Sequence, residues 1–337
     1  MTILEIIWFV LIGVLWAGFF FLEGFDFGIG MQFALNARDQ KDREALYQAI
    51  GPNWDANEVW LVTAGGATFA AFPAWYASLF SGFYLMLFIV LLSLIYRGVS
   101  FEFREHMPTI QGTQLWERLI ALTSFLVPFF LGMIFTAMVS GMPIDARGNL
   151  SAGFFDYVTP FSLVGGVAVS LMSYVHGLNY TRLRIDGKLR TRALKQLEYL
   201  YPILLAGEAL FAVLLFFYTD FIQTQTVWTL SILVVIVLTT VIGWLLAIKQ
   251  KMEKLPFVLS GLTLVEVVVL LFVGLFPRVM VANNPLHTLN IMNTSSSTYT
   301  LKVMTIVVVT ALPVTLGYQI WSFWVFRKRI VSHKVVE

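Results

Sequence analysis

Four acidic residues stand in stretches of this chain that are otherwise oily. Glu23 and Asp26, in Phe21-Leu-Glu-Gly-Phe-Asp-Phe-Gly-Ile-Gly30, are three apart inside a long apolar run, so on a helix they share one face. Asp55 and Glu58, in Gly51-Pro-Asn-Trp-Asp-Ala-Asn-Glu-Val-Trp60, repeat that spacing at the mouth of an apolar segment that runs on toward Pro73. A carboxylate at membrane depth costs about 2.5–3.5 kcal/mol or takes up a proton, so such acids face protein or water and are candidates for proton transfer. Each pair also has a plainer reading. Glu23 and Asp26 could simply hydrogen-bond to a neighbouring helix, and Asp55 with Glu58 fits a capping box that starts a helix after Pro52. Trp54 and Trp60 flank the second pair, which simple capping would leave facing water.

The elements that must hold these acids follow from composition. The chain has 337 residues, 58% hydrophobic and 12% charged, with a mean hydropathy of +0.79. A soluble domain carries about twice that charge, so the fold class is an all-α integral membrane protein. Cysteine is absent, which excludes disulfides, iron–sulfur ligation and thiolate-bound metal. The net charge of +2 gives no sign of a nucleic-acid partner. The first apolar run lacks a basic leader and is too long for a signal-peptide core, so it reads as a first span.

Stretches long enough to cross about 30 Å of hydrocarbon number nine: Ile3–Leu35, Asn57–Pro73, Ala77–Tyr96, Leu115–Val139, Tyr157–Leu178, Leu200–Tyr218, Thr226–Ile248, Pro256–Phe276 and Leu301–Phe326. The link Pro73-Ala-Trp-Tyr76 predicts a tight antiparallel hairpin of the second and third spans. Gly24 and Gly28 would let a neighbour approach the first span closely. Pro128 and Pro313 predict kinks in the fourth and ninth. The loop from Pro277 to Thr300 reads as irregular. Basic residues concentrate in alternate loops, from Arg38, Lys41 and Arg43 to Lys249, Lys251 and Lys254 and the tail Arg327, Lys328, Arg329 and Lys334. That bias places the N-terminus outside and the C-terminus in the cytoplasm.

Other polar residues are less telling. Arg97 ends the third span on the same side as Asp55 and Glu58, either as a snorkelling anchor or as the partner of an ion pair. Glu208 and Glu266 stand alone within spans six and eight. Of four histidines only His176 falls in a span; His106, His287 and His333 lie in loops or the tail. A chain that held haem by itself would need axial ligands at membrane depth, so any haem here would depend on a partner.

Four blocks carry a resemblance: Glu23-Gly-Phe-Asp-Phe-Gly-Ile-Gly30, Gly51 to Trp60, Gly65-Gly-Ala-Thr-Phe-Ala-Ala-Phe-Pro73 with Phe80-Ser-Gly-Phe-Tyr84, and Tyr96-Arg-Gly-Val-Ser-Phe-Glu-Phe-Arg104. Together they resemble subunit II of cytochrome bd quinol oxidase. The resemblance is dense over about the first 105 residues and is far more specific than a short motif.

It implies one polytopic domain over residues 1–337 in the bacterial cell membrane, built as two four-helix bundles (1–140, then the first part of 141–337) plus one peripheral helix. It implies a heterodimer with subunit I, which ligates two b-type haems and one d-type or b-type haem and takes quinol as substrate, with room for a small single-helix subunit, membrane lipid and quinone. This chain would ligate no haem and bind no metal. On that resemblance Asp55, Asp26, Glu23, Glu58 and Arg97 form a proton path from the cytoplasm, and Trp54 and Trp60 pack at the subunit interface. Asn53 and Glu58 depart from the His and Gln frequent in the family. Two rivals remain at this point: a secondary transporter with intramembrane carboxylates, and a structural subunit whose acids only hydrogen-bond.

Overall fold

The computed structural model describes residues 1–249 and 252–331; Lys251, His333 and Lys334 lie outside them. Thirteen α-helices follow one another: α1 (Ile3–Leu35), α2 (Gln40–Ile50), α3 (Trp54–Ala71), α4 (Pro73–Gly82), α5 (Tyr84–Glu105), α6 (Ile110–Ser140), α7 (Pro160–Arg184), α8 (Lys188–Tyr218), α9 (Phe221–Thr224), α10 (Thr226–Lys249), α11 (Lys254–Leu275), α12 (Ile291–Thr294) and α13 (Thr298–Val325). Their starts are written locally. Thr2 and Glu5 cap α1 reciprocally, Asp39 caps α2, and Thr159 precedes Pro160 at the first position of α7.

Among the described residues eight helices are long and apolar enough to cross a membrane: α1, α5, α6, α7, α8, α10, α11 and α13. The expected second span, α3, is not one of them. Its first turns hold Asp55, Asn57 and Glu58, which leaves too little apolar length in 18 residues. The expected hairpin also gives way. Pro73 opens a separate ten-residue helix, α4, which breaks at Phe83, so the third span begins at Tyr84. As a result α3 packs on α1 while α5 packs on α6. An apolar cleft of about 570 Å³ separates α3 from α5, lined by Gly65, Phe69, Phe80, Leu87, Leu91 and Ile134 among others.

The helices form two groups of four. In the first, α1 touches α3 and α6, and α6 touches α5; in the second, α7, α8, α10 and α11 close a ring. Helix α1 joins the groups by packing on both α7 and α11, and α13 lies outside them against α1 and α3. Gly28 is where α1 and α7 cross. A Cβ there would stand 2.1 Å from the Ser173 carbonyl oxygen and 2.7 Å from the Gly177 Cα. Gly132 on α6 meets Gly165 and Gly166 of α7 in the same way. Small residues thus replace the missing hydrophobic drive between helices with close backbone contact.

The loop after α11 is more ordered than its sequence suggests. Residues Arg278–Met280 pair antiparallel with Leu289–Asn290, and Ser296 then donates from its backbone to Ala71 (2.8 Å) and from its hydroxyl to Ala70 (2.6 Å). Those carbonyls, orphaned at the end of α3, are thereby satisfied. At the other end of the bundle, where the basic residues collect, Arg104 bonds Glu117 at 3.1 Å and Glu44 at 3.2 Å, and Arg43 bonds Glu117 at 3.0 Å. This network ties α2 to α5 and α6.

Gly28→Ala should destabilise the folded chain by about 1–3 kcal/mol, because backbone cannot yield as a side chain can. Gly207→Ala, where an added Cβ meets nothing within 4 Å, should leave the unfolding midpoint in detergent unchanged. Equal midpoints for the two variants would contradict the crossing described.

Candidate functional site

Glu23 and Asp26 lie on one face of α1, both fully buried. Opposite them α3 brings Asn57 and Glu58, and α5 brings Arg97, itself fully buried. The snorkelling reading of Arg97 therefore fails: its guanidinium points into the protein. It pairs with Glu23 and, at 3.3 Å, with Glu58, while its face lies over the Phe27 and Phe101 rings at 4.8 and 5.5 Å. Two acids, both on Nη1, and two aromatic faces replace part of the water that a buried guanidinium has lost; its Nε and Nη2 have no hydrogen-bond partner.

Asp26 takes no part in that pairing. Its Oδ2 accepts from the Asn57 amide at 2.7 Å, and its Oδ1, although buried, has no partner. The second oxygen of Glu23 is likewise buried and unpartnered. From Asn57 the bonds continue outward: Gln319 of α13 donates to Asn57 Oδ1 at 3.2 Å, and the Trp60 indole donates to Gln319 Oε1 at 3.0 Å.

Of the residues singled out from sequence, Glu23, Asp26, Glu58 and Arg97 come together. Asp55 does not join them; it is exposed in the first turn of α3. Nor does it form the capping box. The residue preceding α3 is Asn53, whose side chain makes no capping bond and instead accepts from Ser322 of α13 at 3.1 Å. Glu58 is 21% exposed and stands between Asp55 and the buried pair. Trp60 turns inward: its ring fills the space over Gly18, where a Cβ would come within 2.2 Å of it. Trp54 packs on Phe101 with centroids 4.9 Å apart.

Sequence reasoning passed over two amides, Asn57 and Gln319. The signal was there in Gln319, a lone amide inside the last apolar run, and in the position of Asn57 beside Glu58. Elsewhere, Glu208 accepts from Thr240 at 2.6 Å and Glu266 from Thr239 at 2.8 Å, inside the second group of helices and away from the cluster. His176 stacks on Phe257, and its ring nitrogens bond to Ser260 (2.8 Å) and to the Phe21 carbonyl (3.0 Å). Both nitrogens are hydrogen-bonded within the fold. Among the described residues no three acidic, histidine or cysteine side chains cluster as a metal site.

Fold and site together define a polytopic helical membrane protein that buries an arginine against acids sunk in its helices. The fold matches the solved structure of bd oxidase from Geobacillus thermodenitrificans with a TM-score of 0.71 at 16% identity, covering 96% of this chain and 97% of the other. In sequence, the chain is 43% identical to cytochrome bd ubiquinol oxidase subunit 2 of Bacillus subtilis over 335 residues, covering 99% of this chain and 98% of that one. It is 32% identical to cytochrome bd-I ubiquinol oxidase subunit 2 of Escherichia coli K12 over 374 aligned positions, covering 99% and 97%. Residues 4–326 match the family described as cytochrome bd terminal oxidase subunit II. The chain belongs to that family. The reading of the chain as a secondary transporter is not supported.

His176→Leu should cost about 1–3 kcal/mol by removing the buried hydrogen bonds that join α7 to Phe21 of α1 and Ser260 of α11. The check is the thermal unfolding midpoint in detergent, which must fall; an unchanged midpoint would contradict the bonding described.

Proposed function

We propose that this chain is the proton-delivering, non-ligating subunit of a quinol:oxygen oxidoreductase, paired with a haem-bearing subunit I in the bacterial cell membrane. The haems of that partner, two b-type and one d-type or b-type, supply the electrons that reduce oxygen to water, with quinol as their source. The engaged nitrogens of His176 support leaving ligation to the partner. In this reading α3 is the ninth crossing, the basic end faces the cytoplasm, and the N-terminus is outside, as the distribution of Lys and Arg favours.

Protons enter at the basic end past exposed Asp55 and half-buried Glu58. The Arg97–Glu23 pair forms the wall of the entry, and Asp26 carries the proton inward. One observation carries this reading: Asp26 is fully buried, forms no ion pair, and keeps one oxygen without a partner. Neutralising Arg97 already occupies Glu23 and Glu58, so the charge balance of the bundle gives Asp26 no structural task. The purely structural rival gives it only the one hydrogen bond from Asn57, which an asparagine at the same position would keep. Trp54, at the rim on Phe101, is placed to meet subunit I, and the cleft between α3 and α5 lies along the same side of the first group.

Asp26→Asn keeps the shape and removes the titration. In the purified complex it should lower steady-state oxygen consumption by about 10²-fold with the haem spectrum intact. Asp55→Asn should cost far less, since bulk water reaches that position directly. Full turnover in Asp26→Asn, with normal proton uptake, would refute the proposal.

A further inference from the structure

The bonds that reach Asp26 from outside run in one direction only. An indole N–H can donate and cannot accept, so Trp60 obliges Gln319 to turn its oxygen toward α3 (3.0 Å). The Gln319 amide nitrogen must then face Asn57 and donate to Oδ1 at 3.2 Å. That in turn leaves the Asn57 nitrogen facing α1, where one hydrogen goes to Asp26 Oδ2 at 2.7 Å and the other toward the Leu22 carbonyl at 3.4 Å. Two amides that could each sit either way round are locked by a third group that cannot. The lock spans three helices, α13, α3 and α1, and its amides are buried: Asn57 fully, Gln319 to within 9%.

We infer that Trp60 and Gln319 are positioning residues for Asp26. They hold a donor against Oδ2 permanently, so the carboxyl plane is fixed and Oδ1, the oxygen without a partner, is the one atom at which Asp26 gains or loses a proton. Without the lock, only the long bond to the Leu22 carbonyl would oppose rotation of the Asn57 oxygen toward the acid, which would change which Asp26 oxygen is hydrogen-bonded. Helix α13, which also bonds Trp8 of α1 and Asn53 before α3, thereby acts on the site through Gln319. The inference rests on the proton-carrying role proposed for Asp26, but its test separates the two.

Trp60→Phe keeps an aromatic side chain on α3 and deletes the indole N–H together with part of the ring over Gly18; Gln319→Met keeps the length and deletes both polar atoms. The assembled complex is compared by redox-induced infrared difference spectroscopy, taking as the Asp26 signal the band lost in Asp26→Asn. Both variants should shift that band and displace the pH profile of oxygen consumption, and neither should move the profile further in an Asp26→Asn background. A band that stays in place in both variants overturns the positioning, whatever turnover does. A shifted band with an unmoved pH profile upholds the positioning and overturns only the proton-carrying role. If Gln319→Met fails to assemble, Trp60→Phe decides, with Gly18→Ala, which crowds the same ring and keeps the N–H, as the packing control: a band shifted equally by both overturns the positioning.

Discussion

The first group of helices depends on where one positive charge is placed. Arg97 sits at zero exposure on α5, a helix that does not pack on α1 or α3 through its backbone as α6 does. Left unpaired, such a charge would prevent the bundle from closing. Paired, it fixes the rotation of three helices at once, because Glu23 on α1 and Glu58 on α3 must both turn toward it. A buried pair of this kind gives geometry more surely than net stability, since desolvation offsets much of the Coulomb attraction. What it gives here is a fixed register in which Asp26, one turn from Glu23, is carried into the interior without a cation of its own.

Seen this way, the aromatics and small residues around the cluster follow from the charge. Phe27 and Phe101 cover the guanidinium faces and exclude lipid; Gly18 makes room for the Trp60 ring; Gly28 draws α7 against the back of α1, so the acid face can turn only toward α3 and α5. In the second group of helices Glu208 and Glu266 each accept from a threonine hydroxyl of α10 and, like Asp26, keep one buried oxygen without a partner; what sets Asp26 apart is its place one turn from the Arg97–Glu23 pair.

Much of this was legible before any coordinates. Hydropathy located most of the long helices, and α1 runs over Ile3–Leu35 as the apolar run predicts, but it merged α4 with the start of α5 and counted α3 as a span. The three-residue spacing of Glu23 and Asp26 put both on one face, and Gly28 does admit a close neighbour. Three things were hidden, each for a physical reason. A proline-started link reads as a turn, yet Pro73 is equally good at the first position of a helix, so α4 escaped notice. An arginine at the end of an apolar run looks the same in sequence whether it snorkels outward or folds inward; only the acids on other helices decide. Asp55 and Asn57 are two apart and so point in different directions on α3. Sequence pattern favoured the charged residue, and packing chose the amide.

The central claim is that Arg97 and Glu23 act as one buried unit that organises the first group of helices. A double-mutant cycle measures it directly: unfolding free energies of the complex carrying Arg97→Met, Glu23→Leu, and both. Arg97→Met leaves buried Glu23 unmatched and Glu23→Leu leaves buried Arg97 with only partly exposed Glu58, so each should lose about 3–5 kcal/mol, while the double variant, which leaves only Glu58 without its cation, should lose far less than the sum. Additive losses would contradict the account.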